Sequence, residues 1–270
     1  MDIVFHVAGL VKAVRRRDLF SVNRGGAEAL GEAIRTANHA PRRLVVVSSL
    51  AARGPSPGKR PPDEGGPDRP VSAYGESKLA GEQALSGLTD TAVTVVRPPI
   101  VYGARDPNFL LVFRAVRSGL VVVPGGGDRH YSIVHVSDLV RGMVDAGLHE
   151  ATRGRTYTLC DGRIRTWSEI IEAIRSEVRP GATTLRLPLG LIGVVALFAT
   201  GLSRVTGTPY LLSLDKLREI RARAWVCSSD RARTDFGYEA RVPFEEGIRG
   251  TAEWYRREGW LRSGRSQDGS

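Results

Sequence analysis

Short apolar runs of strand length alternate with longer stretches of helical period along most of this chain. The runs at 3–7, 44–48 and 92–96, rich in Val, Ile and Leu, and the β-prone Thr-Tyr-Thr-Leu at 156–159 read as strands. Residues 22–37, 73–85, 107–118, 134–148 and 166–178 repeat their apolar positions every three or four residues and read as helices, the last entered from a Thr166 or Ser168 cap. Alternation of the two element types predicts an α/β fold built on a doubly wound parallel sheet. Residues 53–70 are dense in Pro and Gly, a loop whose length predicts either a lid or disorder. The most apolar stretch, 185–202, is interrupted by Pro188, Gly190, Gly193 and Gly201 and flanked by Arg186 and Arg204. It falls short of the about 20 residues that a spanning helix needs, so it reads as a buried or pocket-lining helix, ahead of membrane contact.

Composition narrows the function classes. A chain of 270 residues can bury a good core, as one large domain or two unequal ones. The formal net charge of +10 raises nucleic acid or an anionic surface as partners. The excess is arginine dispersed along the whole chain, with no basic–aromatic platform, so no nucleic-acid partner is expected. Cys160 and Cys227 make neither a disulfide framework nor a metal spacing, and the histidines are scattered. No metal site is expected. Met1 leads straight into a strand with no signal peptide, which makes the cytoplasm the default location.

Tyr74 and Lys78 carry the candidate chemistry. Four residues apart on a helix, they share one face. There an ammonium could favour the phenolate and bring a pKa near 10 towards working pH. Ser49, at the end of the apolar run 44–48, could hold a carbonyl or alcohol while the phenol passes a proton. On spacing alone the pair competes with an exposed helix turn. Its context, an apolar strand, Ser48-Ser49, a long loop and then the helix, favours proton transfer in carbonyl–alcohol chemistry.

Several motifs stand in order: Asp2-Ile-Val-Phe-His-Val-Ala-Gly9, Val22-Asn23, Val45-Val-Val-Ser-Ser49, Tyr74-x-x-x-Lys78, Val95-Val-Arg-Pro-Pro-Ile-Val-Tyr-Gly103 and Ile133-Val-His-Val-Ser-Asp138. Together they resemble the extended short-chain dehydrogenase/reductase family, also called the NAD-dependent epimerase/dehydratase family. The stretch from Pro188 onward and the motifs around Trp225, Gly237 and Trp254 are most similar to its 3β-hydroxysteroid and sterol dehydrogenase branch. The resemblance implies that Tyr74 is the general acid/base, that Lys78 lowers its pKa and holds the nicotinamide ribose, and that Ser49 orients substrate with Ser48 in support. Asn23 would belong to the proton-relay region or, by its residue type near a helix start, cap that helix. Ala8 and Gly9 would let NAD or NADP approach the backbone, and Pro99, Ile100 and Val101 would flank its nicotinamide. Arg105, Asn108, Tyr131 and the 53–70 loop are candidate contacts for a small-molecule substrate. His6 reads as a core histidine and Asp138 as a helix cap.

The departure from the family is as informative. Members open with a strand and a Gly-rich turn that cradles the pyrophosphate, whereas residues 3–7 already resemble the family's fourth strand. Gly25, Gly26 and Gly31, and Gly125 to Gly127, read as helix-entry or turn glycines. The expected architecture is therefore an N-terminally truncated Rossmann-like sheet from residues 1–104 and 133–162. A smaller substrate-binding region would comprise 105–132 and 163–262, followed by a disordered tail at 263–270. Intact catalytic residues favour a start placed too late over a decayed gene. The exposed strand edge at 3–7 predicts poor solubility or a covering partner, and the resemblance leaves room for a homodimer. Three readings follow: an NAD(P)-dependent oxidoreductase acting on a secondary alcohol or ketone, steroid-like on the branch resemblance; a nucleotide-sugar epimerase or dehydratase; and a pseudoenzyme lacking the phosphate loop.

Overall fold

The structure is a computed structural model that describes residues 2–208 and 213–261. The tail expected at 263–270 lies outside the described residues. The first half runs β1 (Ile3–His6), α1 (Arg16–Thr36), β2 (Arg43–Val47), α2 (Leu50–Arg53), α3 (Ala73–Leu85), β3 (Ala92–Val96), β4 (Ile100–Tyr102), α4 (Pro107–Ser118), β5 (Leu120–Pro124), β6 (His130–His135) and α5 (Val136–Leu148). After it come β7 (Thr156–Tyr157), β8 (Ile164–Thr166), α6 (Trp167–Val178), β9 (Thr183–Leu187), α7 (Leu189–Thr206), α8 (Leu214–Arg221), β10 (Ala224–Trp225), α9 (Asp230–Phe236) and α10 (Phe244–Arg257).

The main sheet has the order β1-β2-β3-β7, and every neighbouring pair is parallel. β2 explains the layering. Its Leu44 and Val46 pack with Ala27 and Ile34 of α1 and Leu85 of α3 on one face. Val45 points to the other face, with Leu139 and Met143 of α5. A parallel strand covered on both sides needs apolar residues at consecutive positions, as the sequence at 44–47 has. The α/β doubly wound expectation holds. β1 lies at an edge, pairing with β2 alone among the described residues, and leaves Phe5 and Val7 exposed.

A second sheet joins β4, β6 and β10 in parallel, with β8 antiparallel to β6. Its core gathers Phe113 of α4, Ile170 and Ile174 of α6, and Ile248 and Tyr255 of α10. α4 and α6 start where the sequence signals it. Asp106 accepts from the Asn108 and Phe109 amides at 2.9 and 3.1 Å ahead of Pro107, and Thr166 forms a reciprocal capping box with Glu169.

Four expectations are corrected. α1 begins at Arg16 rather than residue 22, because its polar first turn hides the helical period. The run at 133–135 is strand, laddered to Ile100–Tyr102, and the helix starts only at Val136; a short apolar run is ambiguous in periodicity. The 53–70 loop is neither free lid nor disordered. Arg53 donates to the Asp63 carbonyl at 2.6 Å and to that of Gly66, while Arg97 forks onto Asp68 at 2.7 and 2.8 Å. Ser56 joins the Ala224 and Val226 carbonyls at 3.0 and 2.9 Å. Lastly, α7 is not buried: Leu191, Val194, Val195, Leu197, Phe198 and Leu202 are all exposed. No helix among the described residues is long and apolar enough to cross a membrane.

Candidate active site

The carboxyl ends of β2 and β3 are fastened side by side, the Ser48 amide donating to the Val96 carbonyl at 2.7 Å and the Leu50 amide to that of Pro98 at 2.8 Å. Between those bonds Ser49 turns the chain from β2 into α2, accepting from the Ala51 amide at 3.1 Å. α3 starts after Ser72, whose hydroxyl accepts from the Gly75 amide at 3.1 Å. Gly75 is what lets α3 sit against this turn. A Cβ there would lie 2.2 Å from the Ala51 carbonyl oxygen. The result is that Tyr74, in the first turn of α3, lies close enough to the Ser49 hydroxyl for that group to lower its pKa. One turn on, the Lys78 ammonium donates to the Val47 carbonyl at 2.7 Å.

Asn23 joins the same place, though not as a cap. It lies inside α1 and is almost fully buried. Its amide accepts from the Leu10 nitrogen at 2.7 Å and donates to the Leu10 carbonyl at 2.9 Å and the Ser77 hydroxyl at 2.8 Å. Three bonds from one side chain fix the segment after β1 against α3. Ala8 and Gly9 on that segment are exposed. A Cβ on Gly9 would stand 3.2 Å from Asn23 Oδ1 and 3.3 Å from Lys78 Nζ, a tight fit that glycine avoids. Gly25, Gly26 and Gly31 lie within α1, not at its entry, and Gly126 and Gly127 turn with φ of +91° and +98°. Among the described residues no Gly-rich turn leads from a strand into a helix N-terminus.

The electrostatics differ from the simple expectation for the pair. Burial holds the Tyr74 phenol above its ordinary pKa; the nearby Ser49 hydroxyl pulls it down and the Glu219 charge pushes it up. The Lys78 pKa is lowered by burial against the opposing pull of Glu82. His6, half-buried, is lowered by burial and then by the Lys78 charge, which favours a neutral imidazole.

Ser48 is committed elsewhere: it is buried, with its hydroxyl bonded to Glu82. Arg97 grips the same carboxylate at 2.5 to 3.2 Å and Asp68 beyond it. This leaves Ser49 as the hydroxyl turned to Tyr74. Pro99 follows directly on the Pro98 that binds Leu50, whereas Ile100 and Val101 belong to β4 and pack half-buried against the two flanking cores. Arg105 and Asn108 are exposed, and Arg105 holds a positive φ of 68°. Tyr131 is pushed up to about 12, chiefly by burial, and feels the Glu219 charge as Tyr74 does. Asp138 is no cap. Fully buried, it accepts from the Arg241 and Val242 amides at 3.0 Å each; His135 caps α5.

Glu219 and Asp215 of α8 were not legible in the sequence. Asp215 accepts from the Ala73 amide at 2.8 Å, and Glu219 accepts from the Ser72 hydroxyl at 2.7 Å. The contacts span more than 140 residues of chain, and no local spacing announces them. Together they brace the first turn of the helix that carries Tyr74.

Residues 1–160 match the model of the NAD dependent epimerase/dehydratase family. Ceramide reductase of Caulobacter vibrioides is 33% identical over 267 residues, covering 96% of this chain and 76% of that protein. The 3beta-hydroxysteroid-dehydrogenase/decarboxylase isoform 1 of Arabidopsis thaliana is 25% identical over 279 residues, covering 93% of this chain and 62% of that protein. Among solved structures, UDP-glucuronic acid 4-epimerase from Bacillus cereus, in complex with UDP-glucuronic acid and NAD, superposes with a TM-score of 0.74. It is 18% identical and covers 96% of this chain and 76% of its own, a likeness of Rossmann-type fold. The chain belongs to the NAD dependent epimerase/dehydratase family.

Proposed function

We propose that this chain is an NAD(P)-dependent oxidoreductase that interconverts a ketone and a secondary alcohol on a lipid-like or steroid-like substrate. The observation that carries the reading is the gathering of Tyr74, the Ser49 hydroxyl that acts on its phenol and Lys78 one turn along α3, with the exposed Ala8–Gly9 backbone beside Lys78. In this reading Ser49 orients the substrate oxygen, and the Tyr74 phenol gives that oxygen its proton as the carbonyl is reduced. NADH or NADPH, when bound, supplies the hydride to the carbonyl carbon. Lys78 has two ammonium hydrogens left beyond its Val47 bond, which suit a ribose hydroxyl, and Gly9 leaves room next to them. Asn23 keeps that room open by tying Leu10 to α3. The choice of an apolar substrate leans on the likeness to ceramide reductase and the sterol dehydrogenase, and on the apolar α7 beside α8.

The test is to incubate the chain with NADH or NADPH and ketones carried on a ceramide or a steroid, following nicotinamide absorbance. Tyr74→Phe should keep the fold and lose roughly 10²- to 10⁴-fold in rate. Turnover of UDP-glucuronic acid with no net change in nicotinamide would favour the epimerase reading instead. Failure to bind either cofactor in a calorimetric titration would favour a non-catalytic protein.

A further inference from the structure

The exposed side of α7 is ordered as a stripe. Leu191, Val194, Val195, Phe198 and Leu202 recur at three- and four-residue intervals, so they share about 100° of one helix face. All are exposed, Phe198 to 75%. The opposite side makes a narrow seam in which Ile192 and Ala196 pack on Leu217 of α8 and on Leu187. The helix is therefore held to the body by one edge and turns its more apolar face outward.

Charge says what covers that face. Residues 185–214 contain no Asp or Glu, and their two charges are Arg186 and Arg204. Arg186 is well exposed, as is Arg218 on the adjoining α8, and each is held only loosely by a carboxylate, Asp128 at 3.7 Å and Asp215 at 3.9 Å. A second copy of the chain would bring another +10 against it. A stable dimer also needs about twenty residues on each side, far more than this stripe supplies. An anionic bilayer offers both an apolar layer and negative headgroups.

We propose that α7 lies in the plane of an anionic lipid surface, its Leu191–Leu202 stripe in the headgroup–acyl boundary and its flanking arginines at the phosphates. Lying in the plane agrees with a helix too short and too weakly apolar to span. Docking there places Tyr74 one helix away from the membrane. α8, which packs on α7, also holds Ala73 and Ser72 through Asp215 and Glu219. The docking stands on its own evidence and does not need the reaction assigned above.

Co-sedimentation of the full chain with extruded vesicles tests it. Binding should be at least roughly tenfold stronger to phosphatidylcholine vesicles containing about 30% phosphatidylglycerol than to pure phosphatidylcholine. It should weaken between about 50 and 500 mM salt. The double variant Val195→Glu/Phe198→Glu should lose binding with its circular dichroism unchanged, and Phe198→Gln serves if that variant fails to fold. Arg186→Gln/Arg204→Gln should remove the preference for the anionic lipid. Absence of vesicle binding would overturn the proposal. So would stripe variants that convert a dimer to a monomer in light scattering while vesicle binding persists.

Discussion

At the scale of residues, the protonation of Tyr74 sets a direction. Because burial holds its phenol above the ordinary value near 10, the group stays a proton donor throughout the neutral and mildly alkaline range. Reductive kcat/KM should therefore be flat across that range and fall only above about pH 10, while alcohol oxidation climbs with pH. A pH–rate profile in both directions checks this; a reductive limb falling near neutrality would mean that another group gives the proton. Tyr74, Lys78 and Ser49 were legible because their signals are local: a helical spacing and a strand end. Asn23 was legible as a residue but not in its role, since its partners Leu10 and Ser77 lie on other elements. Glu219 left no trace, because its contact with Ser72 exists only after α8 folds back on α3.

At the scale of elements, the site depends on how closely helices approach. Gly75 sits where a Cβ would meet the Ala51 carbonyl at 2.2 Å. Gly75→Ala should move α3 off α2 at a cost of about 1–3 kcal/mol, despite alanine's better helix propensity. Denaturant unfolding would measure the cost; a stabilised variant would contradict the close packing. The 73–85 and 107–118 helices match the expected bounds because caps and period agree there. The α7 expectation failed for a different reason. Apolar character predicts what a helix tolerates beside it, not which of its faces the rest of the chain reaches.

At the scale of the whole molecule, buried polar groups join parts that periodicity treats as separate. Asp138 on α5 holds the backbone at 241 and 242, just ahead of α10. Burial alone would raise its carboxyl, but bonds from the two amides and from Arg141 hold it below the usual carboxylate range. A folded pKa below the unfolded value gives stability that is complete above about pH 4 and lost as pH falls through the folded pKa. Asp138→Asn should thus cost about 1–3 kcal/mol at neutral pH. The gap from the parent should close in acid, as thermal melts across pH would record. The pinned loop has a consequence of another kind. Its outermost stretch, 57–60, is exposed, while Ser56 on one side and Gly66 and Asp68 on the other are fastened to the body. Limited trypsin should cut after Lys59, yet the two pieces should elute together from a sizing column under native conditions. A backbone break that leaves a working whole would make this the place to divide the gene and let the halves find each other.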